Sequence, residues 1–172
     1  MGRRGAVQQA CMAILKKLIY GIESGIVGGL AMLLVLTAAS IFHRHVWWEV
    51  PNLLGSTFYH GRAFYAGPGM ATVAGGALQL TISGLIGAVF SLACGNVRSR
   101  HRLILSGTLA GLGWFFLANG FLWPSINPLV PRYWPEPAAV LSHLLFGACL
   151  GSAGFPPPVD LTANGPSDAV DL

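Results

Sequence analysis

Four stretches of this chain are long, apolar and almost free of charge, and they limit what it can become. They run at about 22–42 (IESGIVGGLAMLLVLTAASIF), 71–94, 103–123 and 137–154. A helix needs roughly 20 mostly apolar residues to cross a bilayer's hydrocarbon core. The fourth stretch is the shortest and ends at Pro156–Pro158, where no helix continues. The expectation is therefore an all-α, polytopic integral membrane protein with four transmembrane helices. Residues 1–21 form an N-terminal cytoplasmic or interfacial segment, and residues 155–172 a Pro-rich flexible cytoplasmic tail. Composition agrees, because 53% of residues are hydrophobic and only 9% charged, against about a quarter charged in soluble domains.

Charge supplies the direction. Arg3, Arg4, Lys16 and Lys17 precede the first stretch, and Arg98, Arg100 and Arg102 fill the tight connection between the second and third. The other two connections hold only Arg44 and Arg62, then Arg132. Positive charge is retained on the cytoplasmic side. Both termini are thus expected in the cytoplasm, with the chain a multi-pass protein of a bacterial inner membrane. The net charge of +4 does not indicate nucleic acid. Its cations are divided among short groups and make no basic face of the kind phosphate backbones require.

Aromatic residues mark the opposite side. Trp47, Trp48, Trp123 and Trp134, with Tyr59, Tyr65 and Tyr133, fall at the outer ends of spans or in the outer connections. Such rings settle at headgroup level, so the four tryptophans are expected to be interface anchors. A cleaved leader ending near Thr37–Ser40 is disfavoured by the long preceding segment and by Glu23. Instead Val7, Cys11, Ile14, Leu15 and Leu18 define one face of a helix lying on the inner surface.

Glycine spacing suggests how the spans meet. Gly21, Gly25 and Gly29 recur every fourth residue, as do Gly107 and Gly111, and Gly147 and Gly151. Ser83, Gly87 and Ala88 give the second span a similar small-residue face. Lipid offers no hydrophobic force between helices, so close backbone approach over small residues must serve. There is also an internal echo. SGIVGGLA from Ser24 resembles SGTLAGLG from Ser106, and each span is followed by a Trp, Pro, Asn, Leu set: Trp48, Pro51, Asn52, Leu53 and Trp123, Pro124, Asn127, Leu129. A duplicated hairpin with parallel repeats would explain it.

Polar groups collect in the outer half: Gln79, Ser83, Asn119, Ser142 and His143. A shallow cup opening outward is expected there. His143 is the one histidine inside a span, and an intramembrane ionisable residue is a functional suspect. Its bland reading is a neutral imidazole bonded to Asn119, Gln79 or a backbone carbonyl; its sharp reading is a ligand, with Gln79 and Asn119 as fellow cofactor-binding candidates. His43, His45 and His60 are the metal-ligand candidates, since His43 and His45 share a face if the chain is extended. Only Glu49 is at hand to complete such a set, and no cofactor is predicted. Cys11, Cys94 and Cys149 have no paired spacing and read as free thiols. No Ser/His/Asp set, phosphate loop, redox Cys pair or carboxylate pair is present, so an enzyme is not expected.

Three segments, WWEVPNLLGSTFY (Trp47–Tyr59), NGFLWPSINPLVP (Asn119–Pro131) and LSHLLFGACLG (Leu141–Gly151), carry a resemblance. They look like landmarks of small four-span bacterial membrane proteins in families of unknown function, where a glycine-rich first span precedes a Trp-Pro-Asn loop. The last span there carries a His-Leu-x-x-Gly signature, here His143, Leu144 and Gly147. The resemblance implies architecture and no activity. It also implies a second-span histidine, where this chain has Gln79. Two functions remain in view. One is a non-enzymatic accessory or structural component, in contact with the lipid bilayer and packing on a second copy or a larger membrane complex. The other is a carrier of a small ligand, metal or haem that uses His143 with the outer histidines.

Overall fold

The structure is a computed structural model that describes residues 2–97, 99–134 and 136–152. Every regular element among them is helical. Four are long: α1 (Gly2–Phe42), α3 (Met70–Cys94), α4 (Arg100–Leu117) and α7 (Glu136–Ser152). Three are short and sit at one end of the molecule: α2 (Glu49–Tyr59), α5 (Trp123–Ile126) and α6 (Leu129–Tyr133).

Among the described residues, three segments are long and apolar enough to cross a membrane: Gly5–Phe42, Met70–Cys94 and Arg100–Ile126. The fourth expected span corresponds to α7, whose 17 described residues rise about 26 Å. Residues 153 and 154 of that span, and the expected tail 155–172, lie outside the described residues. The outward faces carry large exposed apolar side chains. Leu34 and Phe42 on α1, Val73 and Leu85 on α3, and Phe116 on α4 are each more than half exposed.

Residues 2–21 of the expected N-terminal segment are helical and lead into the first span within one helix, α1, which runs 41 residues without a break. That is about 62 Å of helix, twice the roughly 30 Å of a hydrocarbon core. No proline interrupts it, and partway along it is tied to α3 and the turn that follows: the Lys17 ammonium donates to Asn96 Oδ1 at 2.6 Å, and the Ser91 hydroxyl to the Lys17 carbonyl at 2.5 Å.

α1 packs along α3 on one side and along α7 on another, while α4 packs along α7. The long helices therefore follow the order α3, α1, α7, α4. α3 and α4 meet only sparsely. Parallel repeats would match the α1–α7 contact with an equal α3–α4 contact, so the packing does not display that symmetry. The core is a column of Leu36, Leu54, Val130, Ala139, Phe146 and Leu150, none more than 1% exposed.

The α4 helix widens before it ends. Residues Ala118–Leu122 form a π-helical turn, with the Trp123 N–H bonding back to the Ala118 carbonyl five residues earlier. Pro124 follows at once. It has no N–H to give and its ring crowds the preceding turn, so the α-helical ladder cannot continue undisturbed. The chain then folds over the bundle through α5 and α6.

Candidate functional site

The seams between helices account for most of the glycines. A Cβ at Gly21 would stand 2.5 Å from the Gly87 carbonyl oxygen, and one at Gly29 2.6 Å from the Ser83 hydroxyl. Gly25 lies against the Ser83 backbone. On the other pair, Gly107 faces Gly147 and Gly151, and Gly111 faces His143 and Gly147. At Gly107, Gly111, Gly147 and Gly151 any side chain would meet backbone rather than a movable rotamer. Gly28, which the spacing argument passed over, borders α7, where a Cβ would come within 2.8 Å of the Phe146 ring.

The short helices form a cap pinned by two buried asparagines. Asn52 is fully buried; its amide donates to the carbonyls of Ala66 at 2.9 Å and Gly67 at 3.3 Å, and its oxygen accepts from the Thr72 hydroxyl at 2.6 Å. Asn127 donates to the Leu53 carbonyl and to the hydroxyls of Ser56 and Thr57 at 2.8–3.1 Å, and accepts from the Leu129 N–H at 3.3 Å. Asn127 thus joins the second cap segment to α2. At the rim, the hydroxyls of Tyr65 and Tyr133 lie 3.1 Å apart, and this shared hydrogen bond pushes the Tyr65 phenol above its usual range.

Gln79, Asn119 and His143, expected to share an outer cup, each bond to other groups among the described residues. His143 is 2% exposed. Its Nδ1 lies 2.7 Å from the Ala139 carbonyl, and only an N–H can bond there, so Nδ1 carries the proton. Its ring stands edge-on to Phe115 with centroids 5.2 Å apart. Gln79 donates to Met32 Sδ at 3.1 Å and Ser83 at 3.3 Å. Asn119, on the π turn, donates to Phe115 in its own helix. Ser142 likewise bonds back to Ala139. For Asn119, Ser142 and His143 the physical reason is local: within a helix the carbonyl three or four residues back is the nearest acceptor.

A different outer feature is present. A cleft of about 240 Å³ opens where α1, α2 and α6 end, lined by Leu36, Ser40, His43, His45, Glu49, Val50, Leu53, Tyr133 and Trp134. Its polar centre is Glu49. One carboxylate oxygen accepts from the Ser40 hydroxyl at 2.8 Å, and His45 Nδ1 lies 2.9–3.0 Å from the carboxylate oxygens. His43 and His45 are therefore brought to one cavity, whereas His60 and His143 are not among its lining residues. Among the described residues, no group of three His, Cys, Asp or Glu is placed to hold a metal ion. His60 has another explanation: with φ 63° and ψ 177°, it makes the reversal from α2 into the 3-10 turn Gly61–Ala63.

Two of the expected interface anchors turn inward. Trp123 and Trp134 are 7% and 8% exposed and belong to the core with Val50, Leu53 and Leu54, while Trp47 remains half exposed and Trp48 partly so. α5 and α6 fold over the bundle end, so their tryptophans pack beneath α2 instead of facing headgroups. The Trp134 indole N–H is buried without an acceptor among the described residues. Cys11, Cys94 and Cys149 are free thiols. Sequence reasoning missed Ser40 as a partner of Glu49 and Tyr133 and Trp134 as lining of the same cleft. The pair His43 and His45, with Glu49 the one carboxylate near them in sequence, signalled part of the group.

No protein-family model, curated protein or solved structure matches this chain.

Proposed function

We propose that this chain is a non-enzymatic accessory or structural component of a bacterial inner membrane, crossing it four times with both termini in the cytoplasm. The observation that carries this reading is the contrast between seams and outward faces. Inside, the polar side chains of the bundle are spent on fixing the helices and the cap. Outside, Leu34, Phe42, Val73, Leu85 and Phe116 present a large apolar surface, which calls for lipid or a membrane partner.

Four crossings are favoured over three because α7 packs along both α1 and α4, both of which qualify as spans. A helix held between them shares their depth. The spacing of Gly107 and Gly111 against Gly147 and Gly151 supports small-residue association of the GxxxG kind. The resemblance to small four-span proteins of unknown function points the same way. The part of α1 beyond one bilayer's depth, with Arg3, Arg4, Lys16 and Lys17, would lie on the cytoplasmic side. A homo-oligomer or larger membrane complex is the expected setting.

Reporter fusions test this. A reporter active only in the periplasm should be active when joined within 60–69 and silent when joined at 96–100 or after 172. A periplasmic 96–100 connection would overturn the topology. Purification in mild detergent should recover a stoichiometric partner or a defined oligomer; a lone monomer with catalytic turnover would overturn the accessory role.

A further inference from the structure

We propose that the cleft between α1, α2 and α6 is a binding site for the ammonium head of a small amphipathic cation. This goes beyond the accessory role and does not depend on it. The argument starts from the Glu49 carboxylate. The Ser40 hydroxyl lies 2.8 Å and His45 Nδ1 3.0 Å from its oxygens, so two side chains hold it in place. Ionised, it has about four acceptor positions, so positions remain for a ligand's N–H groups. Among the described residues no lysine or arginine lines the cleft, and the one ion pair they give Glu49 is with His45, which is charged only when protonated.

The surroundings suit the rest of such a ligand. Tyr133 and Trp134 supply aromatic rings to the lining, and aromatic faces attract ammonium groups through the ring quadrupole. Leu36, Val50 and Leu53 are 0%, 5% and 3% exposed and make an apolar floor. A cavity of about 240 Å³ is smaller than the roughly 300–1,000 Å³ of sites that enclose drug-sized ligands. It therefore takes a head and the first methylenes, leaving a tail to the lipid beside the bundle. An anionic ligand is disfavoured because it would meet Glu49 with only two histidines in compensation. A neutral one would leave the carboxylate unmatched.

The ammonium can come from an ethanolamine lipid or from a free alkylamine, and one experiment separates them. The full chain is placed in nanodiscs of phosphatidylglycerol, and binding of radiolabelled n-octylammonium is measured with and without excess n-octanol. The expected result is saturable binding at one per chain, no competition by octanol, and at least tenfold weaker binding in Glu49→Gln. That variant retains an oxygen acceptor, and its thermal unfolding midpoint confirms folding. Tyr133→Leu, at a residue 43% exposed, should weaken binding several-fold by removing a ring. Discs with phosphatidylethanolamine assign the source: competition points to the lipid headgroup, and none to a free amine. Unsaturable octylammonium uptake, unchanged affinity in folded Glu49→Gln, or equal competition by octanol would overturn the proposal.

Discussion

The seams between the long helices and the cap at their end are built on opposite physical principles. In the seams, side chains are removed so that backbones touch: Gly107 on Gly147, Gly21 on Gly87. In the cap, side chains are buried for the hydrogen bonds they make: Asn52 to Ala66 and Gly67, Asn127 to Leu53, Ser56 and Thr57. The difference follows from what each region must join. Long helices satisfy their own backbone groups and need only close contact. Short helices leave a large share of their terminal groups unpaired, so the cap draws on side chains to satisfy and fix the chain. Substitutions should therefore behave differently in the two regions.

The largest effect is expected in a seam. Gly147→Leu drives a side chain onto the backbone of Gly107 and Thr108, and neither can rotate away. A cost of about 3 kcal/mol or more is expected, at the upper end for overpacking, read as a lost or strongly lowered unfolding transition in detergent. Gly113→Leu is the control on the facing helix. Nothing lies within 4 Å of a Cβ there, and leucine is the better helix former, so stability should hold or rise slightly. Equal damage from both would mean that glycine acts through helix flexibility rather than contact.

In the cap, Asn127→Ala should cost about 2 kcal/mol, since it removes donors from partners that are themselves buried. The damage should be local. Amide exchange should rise in α2, α5 and α6 while the α4–α7 seam stays protected. Uniform loss of protection across the long helices would show that cap and seams unfold as one unit, and the contrast between them would fail.

His143 tests the boundary between the regions, because it belongs to a seam yet carries a polar group. Its hydrogen bond stays within α7, and its ring packs on Phe115. His143→Ala should cost about 1.5 kcal/mol through the lost ring contact and hydrogen bond. It should leave octylammonium binding in the cleft unchanged. Lost binding in a folded variant would place the histidine in a functional site after all.

These residues also show what a sequence can and cannot disclose. The helical membrane class was legible because span length and hydropathy are local quantities. Gly107 and Gly111, and Gly147 and Gly151, were legible as pairs because helical spacing places each pair on one face of its own helix. Trp123 and Trp134 were misread because a tryptophan near the end of a span serves equally well as an anchor or as core. Burial depends on where α5 and α6 fold back. His45 and Glu49 lie one helical turn apart in sequence, but Tyr133 and Trp134 join them only through the tertiary path of the cap. The N-terminal part of α1 was legible as a helix because Val7, Cys11, Ile14, Leu15 and Leu18 recur at helical spacing.

The smallest effect separates cap geometry from histidine chemistry. His60 adopts φ 63° and ψ 177°, a combination that is costly for any residue with a Cβ and natural for glycine. Its side chain is exposed, no group of three possible metal ligands includes it among the described residues, and it is absent from the lining of the cleft. If its place is only to turn the chain, His60→Gly should stabilise the protein. Relief of strain gains about 1 kcal/mol or more, and the greater freedom of glycine in the unfolded chain returns part of it. The net expectation is a rise of a few tenths of a kcal/mol to about 1 kcal/mol, measured as a higher unfolding midpoint with octylammonium binding unaltered. A lower midpoint would mean that the imidazole makes a stabilising contact at the membrane surface. The turn would then hold through its side chain, as Asn52 and Asn127 hold the rest of the cap.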